Sequence, residues 1–510
     1  MSTTGHYAVV TTPDVTGRPT QPLPVSEKAM DLGTYLRTRV TTLKPPMTKV
    51  PNPFKLLGML NRPQWMNFAV AFATWTWDAF DFFTVSLTLE DLAETFGKSK
   101  SDITWGISIT LMFRSVGSII FGIAADRYGR KWPFVVNNIM FIVLELLTGF
   151  CTNFNQFMVV RALFGVAMGG IWGNAVATAL EDAPIEARGI ISGILQQGYA
   201  IGYLIATVFS RALVNTTSHG WRPLFWFGAC PPVFIILFRL ALPETQAYIE
   251  RERLREATNN ATATFIKEGK IVIKKNFFRV IYLVMFMAGM SFTSHGSQDL
   301  YPTLLKNRNG FNADQVTVTQ VVANIGAFVG GTTAGYYSQV IGRRLSLLLM
   351  IVLGAALLYP YTHTRSMAVV APAFFFQACI QGAFGVVPIH LMELSPPKYS
   401  TFFVGTAYQL GNLISSTSTT VEAKLAEQYP LPPTPSGAER YDYGKVIGTL
   451  MAVVYAYLFV MVFLGPESRG KEFDAAHDED LGGAARETHF FKSLEKNATR
   501  EDEEKERALA

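Results

Sequence analysis

Between Ser291 and Thr303 the chain reads S-F-T-S-H-G-S-Q-D-L-Y-P-T. Ser291, His295, Gln298, Asp299 and Thr303 recur at three- and four-residue spacing, which on a helix makes one polar stripe of hydroxyl, imidazole, amide and carboxylate groups. Asp299 stands one helical turn after His295, where it can orient the imidazole and stabilise its protonated form, so the pair is suited to carrying a proton. Arg114, in L-M-F-R-S-V-G, adds a permanent cation whose planar fork matches a carboxylate. Two roles are open to it: holding an anionic substrate, or forming an internal ion pair with Asp78, Asp81 or Asp299. Asp78 and Asp81, in W-D-A-F-D-F-F, are second candidates for handling the proton. Tyr408-Gln409-L-Gly411-Asn412 offers further amides, with Gln409 as a candidate substrate contact. The chemistry on offer is recognition of an anion together with a proton.

The elements that position these residues are long apolar runs. Only 16% of the 510 residues are charged, and the charges gather in the two tails and in the segment from Pro243 to Arg279. The remainder divides into stretches of about 20 apolar residues, the length that crosses a bilayer as a helix. Six are expected before the charged segment, near Trp65 to Leu89, Ile103 to Ala124, Pro133 to Phe150, Phe154 to Leu180, Ile190 to Leu213 and Pro223 to Leu242. Six more follow, near Val280 to Leu305, Val316 to Gln339, Leu345 to Tyr361, Ala368 to Met392, Thr401 to Leu425 and Gly444 to Leu464. The expected fold is an all-α integral membrane protein of 12 transmembrane helices. Its parts are an N-terminal tail over 1–62, a six-helix bundle over 63–242, a charged loop over 243–279, a second six-helix bundle over 280–464 and an acidic tail over 465–510. A charge near the bilayer centre costs at least about 2.5 to 3.5 kcal/mol on insertion scales, which makes every ionisable residue inside a span a functional candidate.

With both termini inside, 31 of the 44 Lys and Arg fall on cytosolic tails and loops and nine on external loops, so positive-inside bias sets the orientation. The first 59 residues lack a continuous apolar stretch and read as a retained cytosolic tail rather than a signal peptide. The basic balance on membrane-flanking segments points to anionic lipid and not to nucleic acid. Asn215 would face outside as a glycosylation acceptor, with Asn260 and Asn497 inside. Cys151, Cys230 and Cys379 are few, scattered and apolar in setting, so neither a disulfide framework nor a metal site is expected, and no cofactor.

The two halves repeat. Gly122-I-A-A-Asp126-R-Y-Gly129-Arg130-Lys131 at the end of span 2 returns as Gly335-Y-Y-S-Gln339-V-I-Gly342-Arg343-Arg344 at the end of span 8, offset by 213. Glu181-D-A-Pro184-I-E-A-Arg188 after span 4 returns as Glu393-L-S-Pro396-P-K-Y-Ser400 after span 10, offset by 212. A parallel repeat of two six-helix halves, related by a pseudo-twofold axis, places a binding site at midplane between them and permits alternating access by rocking. Gly165-x-x-x-Gly169, Gly198-x-x-x-Gly202 and Gly326-x-x-x-Gly330 let spans approach closely. Asp126, Arg130, Arg161, Glu181, Arg188 and Glu393 are the expected gating charges, with Glu145 either a buried partner of Arg161 or a lipid-interface residue. These paired loops resemble the loop motifs of the major facilitator superfamily.

The string Ser294-His295-G-Ser297-Gln298-Asp299-L-Y-P-Thr303 resembles the signature N-x-x-[ST]-H-x-[ST]-Q-D-x-x-x-T of the fungal Jen-type lactate/pyruvate:proton symporters, relatives of the sialate:proton symporters. Every fixed position from Ser294 onward matches, and Ser291 stands where that family has Asn. The resemblance continues through W-D-A-F-D-F-F, L-M-F-R-S-V-G, G-R-K-W-P, E-D-A-P, F-R-L-A-L-P-E-T and Y-Q-L-G-N-L-I-S-S. It implies a multi-pass plasma-membrane symporter for a proton and a short carboxylate such as lactate, pyruvate or acetate. His295 and Asp299 would handle substrate and proton, with Ser294, Ser297, Gln298 and Thr303 in the translocation path and cytosolic regulators as partners of the tails. A malate or succinate carrier is the nearest alternative, and a non-transporting carboxylate sensor a more distant one. No phosphate loop, metal spacing or nucleophile elbow speaks for an enzyme.

Overall fold

The computed structural model describes residues 32–43, 51–98, 100–214, 216–257, 262–433, 440–470 and 473. Asn215, Asn260, Asn497 and the acidic end of the chain lie outside them.

Twelve helical passages run through the bundle. Spans 1 to 6 are Arg62–Leu87, Lys100–Tyr128, Lys131–Phe150, Phe154–Leu180, Arg188–Leu213 and Arg222–Ala241. Spans 7 to 10 are Phe277–Asn307, Ala313–Ile341, Arg343–His363 and Met367–Leu394. Span 11 is two helices, Ser400–Ser415 and Ser418–Ala426, and span 12 is Tyr443–Leu464. Among the described residues nine helices are long and apolar enough to cross a membrane by length and composition. The three outside that set are spans 1, 8 and 11. Span 1 carries Asp78 and Asp81, span 8 carries Gln315, Gln320 and Asn324, and span 11 is broken at Ser416 and Thr417. Large apolar side chains such as Phe234, Val352 and Val453 stand exposed on outer faces, a surface suited to lipid rather than water.

Local sequence explains where helices start and stop. Asn61 opens span 1 and Asn312 opens span 8 with a capping box, each side chain accepting from the backbone N–H of a Gln three residues on. Span 7 is interrupted because Pro302 has no N–H to donate. Its first helix ends at Gln298 and a short second one runs Tyr301–Asn307.

Spans 2 and 4 pack along their length, as do their repeat equivalents 8 and 10. Glycine makes both approaches possible: a Cβ on Gly169 would collide with the Arg114 carbonyl, and one on Gly330 with the Ala378 carbonyl. The halves meet where span 2 lies on span 11 and span 5 on span 8. One end of the bundle is rich in charge. There the turns after spans 2 and 8 use Gly129 (φ 92°) and Gly342 (φ 94°), and the amphipathic segments Gln246–Ala257 and Thr262–Lys275 lie across both halves. The helix Leu32–Thr41 joins span 12 at this same end, with Arg39 donating to the Gly465 carbonyl.

Gly330→Ala should cost about 1–3 kcal/mol by forcing spans 8 and 10 apart. Gly448→Ala, where the nearest atom is 3.5 Å from the added Cβ, should be neutral or stabilising by up to about 1 kcal/mol. Thermal unfolding of the purified variants in detergent measures both.

Candidate functional site

A cavity of about 30 Å³ lies at the centre of the bundle between the two halves. Spans 1, 2 and 5 contribute Trp75, Phe82, Leu111, Arg114, Gln196 and Tyr199. Spans 7, 10 and 11 contribute Ser291, Ser294, His295, Gln381, Phe384, Tyr408 and Asn412. Toward the charged end an aromatic floor closes it, with the rings of Trp172 and Tyr408 stacked at 3.8 Å and Trp75 edge-on to both.

Arg114 is the permanent cation of this wall. It is buried, donating from Nη2 to Asp78 Oδ2 at 2.6 Å, with its guanidinium 5.8 Å from the Phe82 ring. The internal pair open to it from the sequence is therefore made, and with Asp78. It is a single bond and not a bidentate clamp. Arg114 Nε and Asp78 Oδ1 are buried without a hydrogen-bond partner among the described residues, so the fork retains capacity for a second anion.

Across the cavity, His295 Nδ1 lies 3.2 Å from Asp299 Oδ2, and Thr419 Oγ1 of span 11 donates to the same oxygen at 3.0 Å. With Asp299 as the acceptor, the proton of that contact sits on Nδ1 and Nε2 is the variable position of the ring. Asp299 is exposed on the side away from the charged end. Gln298 donates to Gln377 of span 10 at 2.7 Å and ties the stripe to its neighbour.

Several expected residues lie elsewhere. Ser297 is fully buried and donates to the carbonyls of Thr293 and Ser294, turned away from the cavity toward Tyr361 of span 9. Thr303 falls beyond the break before Pro302, where the three-and-four spacing no longer continues one helix face. Gln409 is buried next to the cavity wall, its Oε1 accepting from Asn412 and its Nε2 unpartnered. Asp81 is not in the cavity. It lies inside the first six helices, where it and Glu145 both crowd Gly228, and where Arg161 donates to Glu145 at 3.2 Å. Arg161 therefore belongs to a buried cluster in mid-bundle and not to a gate, and Glu145 is its partner rather than a lipid-facing group.

Trp75, Gln196, Tyr199 and Gln381 join the wall without having been picked from the sequence. Gln196 had a signal: it precedes Gln409 by 213 residues, the offset of the repeated loops. A search for charges without a repeat counterpart passes over such neutral, matched pairs.

The other charges expected to gate lie at the charged end, around two equivalent clamps. Arg130 meets Glu181 through Nε at 3.1 Å and Nη2 at 2.5 Å, and Arg343 meets Glu393 through Nε and Nη2, both at 3.0 Å. Asp126 pairs with Arg130 at 2.9 Å and reaches the other half, accepting the backbone N–H groups of Thr401 and Phe402. Arg188 donates to the Ala183 carbonyl and lies over the Phe473 ring. Burial pushes the Glu181 carboxyl up, but the Arg130 and Arg251 guanidiniums outweigh it and hold the group at about 2.

The chain matches the family model described as sugar (and other) transporter over residues 63–479. It is 37% identical over 433 residues to a carboxylic acid transporter protein homolog of Saccharomyces cerevisiae, covering 82% of this chain and 70% of that one. A probable 4-methylmuconolactone transporter of Cupriavidus pinatubonensis is 27% identical over 426 residues, covering 82% and 94%. Among solved structures the proton:xylose symporter XylE, a major facilitator protein, superposes with a TM-score of 0.61 at 16% identity over 80% of this chain and 97% of its own.

The depressed Glu181 carboxyl has a pH signature. Its contribution to stability is present above the ordinary value of 4.5 and is lost as pH falls toward about 2. Glu181→Gln should lower stability by about 3 kcal/mol at neutral pH by removing the carboxylate that Arg130 and Arg251 share, while Asp126 stays paired with Arg130. The gap between the two proteins should be flat from about pH 8 to about pH 5 and narrow below that. Thermal unfolding across pH reads both effects.

Proposed function

The chain belongs to the sugar (and other) transporter family, and from that premise we propose that it is a proton-coupled symporter importing short carboxylates such as lactate, pyruvate and acetate. The observation that carries this reading is the small central cavity lined by both Arg114 and His295, with Asp299 bonded to His295 from outside the cavity wall. Each water needs about 10–15 Å³ of such space, so the cavity suits a ligand of a few heavy atoms better than a sugar. Arg114 is the one permanent cation among the lining residues, which favours a monocarboxylate over malate or succinate. The carboxylic acid transporter homolog among the relatives supports the same class.

Entry of a carboxylate against an inside-negative potential is opposed by about 2.3 kcal/mol per charge per 100 mV, and a proton moving with it cancels that term. In the proposed cycle Arg114 exchanges its Asp78 contact for the substrate carboxylate, and His295 with Asp299 takes the proton. Asp78, released from Arg114, is a second place for that proton. The Asp81–Glu145–Arg161 cluster, with two carboxyls to one cation, is a third. Glycines and clamps at the charged end serve the rocking of the halves 63–242 and 280–464. With the charged end and both termini in the cytosol, as positive-inside bias requires, the state described here is closed to the cytosol and faces outward across a plasma membrane. The tails are then available to cytosolic regulators.

Labelled lactate uptake in cells lacking their own carriers tests the reading. Uptake should rise as external pH falls, stop with a protonophore and fall in Asp299→Asn. In Arg114→Gln it should fall at least thirtyfold, roughly the effect of losing a desolvated charge contact worth about 2–5 kcal/mol. Uptake that ignores both pH and protonophore would remove the proton, and competition by succinate as strong as by pyruvate would replace the monocarboxylate with a dicarboxylate.

A further inference from the structure

One buried carboxyl has no place in the cavity, the mid-bundle cluster or the clamps. Glu422 stands in the second helix of span 11, fully buried, and neither of its carboxyl oxygens has a hydrogen-bond or ion-pair partner among the described residues. Oε1 rests against Gly296 of span 7, where a Cβ would be only 3.1 Å away, so the acid lies on the helical turn between His295 and Asp299. Span 12 closes the same spot with the apolar Met451. Three residues before Glu422, Thr419 donates to the Asp299 oxygen that also meets His295.

The groups facing Glu422 are few. Span 7 brings Asp299 and, through it, His295; span 9 brings the Tyr361 hydroxyl; its own helix brings Ser418, whose buried hydroxyl also lacks a partner. Among these groups Asp299 is a second carboxyl, and no Lys or Arg is present. A carboxylate sealed from water beside another carboxylate, with no cation at hand, is far less stable than the neutral acid. Gly296 leaves the acid room against span 7, and a second carboxyl is thereby held one turn of helix from the proposed proton carrier.

We propose that Glu422 is a proton-binding residue of the transport cycle, holding a proton as the neutral acid in the state described here and releasing it when span 11 shifts. Binding forms one carboxyl O–H bond with a proton from water on the open side, and release returns that proton to water on the other side. The break at Ser416 and Thr417 lets the short helix move apart from Ser400–Ser415, whose first N–H groups are held by Asp126. Span 11 thus runs from the charged end to Glu422 with a joint at Ser416 and Thr417 between them.

The inference rests on the proposed symport, so its test carries a readout that needs no substrate. Purified protein in liposomes is examined by pH-difference infrared spectroscopy as wild type, Glu422→Gln and Glu422→Asp. The wild type should show the carbonyl band of a buried neutral carboxyl, absent in E422Q and displaced in E422D. E422Q, which imitates the neutral acid, should fold as the wild type does. Under an inward gradient of one pH unit a single coupled proton supports about tenfold accumulation of labelled lactate. E422Q should lose that accumulation while still exchanging internal for external lactate. A band that survives unchanged in E422Q, or accumulation equal to wild type, overturns the proposal. Should E422Q not fold, a band in E422D identical to wild type overturns it equally. Loss of the band in a protein that transports no lactate keeps the proton at Glu422 and instead removes the proposed substrate.

Discussion

A charge withdrawn from water must find a partner, and the architecture is organised by that cost. Four buried arginines have a carboxylate: Arg114 has Asp78, Arg161 has Glu145, Arg130 has Glu181 and Arg343 has Glu393, whereas the equally buried Arg344 gives its guanidinium to carbonyl and hydroxyl oxygens. The pairs differ in kind. Those at the charged end are bidentate and saturated, as suits a fixed joint. The Arg114 and Arg161 pairs are each held by one bond, and each leaves a guanidinium nitrogen and a carboxylate oxygen without a partner among the described residues. Of these two arginines, Arg114 lines the central cavity and Arg161 does not.

The repeat makes the two halves comparable, and one of their departures at the joint reaches across to the other half. Asp126 occupies in the first half the place of Gln339 in the second. Asp126 accepts the leading N–H groups of span 11, where a negative charge also complements the positive end of the helix dipole. The corresponding Gln339 makes no such cap on span 5, whose first turn has no side-chain cap. It bonds Arg343 instead. Closure at this end is therefore held from one half by a charge on a helix terminus, and from the other by close glycine packing, with Gly189 and Gly193 against Gly335 and Gly331.

Much of this was legible in the sequence because charge is conspicuous in an apolar chain. The clamps followed from loops repeated at constant offset, and Arg114, His295 and Asp299 from ionisable groups without repeat partners. Ser297 and Thr303 misled for geometrical reasons. Two residues beyond His295 lies a different helix face, and Pro302 ends the helix before Thr303 can share the stripe. Arg161 stands among the expected gating charges with Glu145 open as its buried partner, and the fold selects that inward pairing. Gln196 and Gln381 were hidden by neutrality, and Glu422 by its setting in S-S-T-S-T-T-V-E, which reads as the polar end of a span.

Span 11 gathers these threads into one element. Its N-terminus is gripped by Asp126, its middle places Tyr408 on Trp172 and Asn412 in the cavity wall, and its second helix sets Thr419 on Asp299 and Glu422 on Gly296. Rocking that frees the Thr401 and Phe402 N–H groups must draw the stacked aromatic floor with it, because Tyr408 lies on the same continuous helix, Ser400–Ser415. The break at Ser416 and Thr417 separates the second helix, and with it Glu422, from the first. The charged end, the aromatic floor and Glu422 thus lie in order along one helix pair, which ends against the His295–Asp299 stripe.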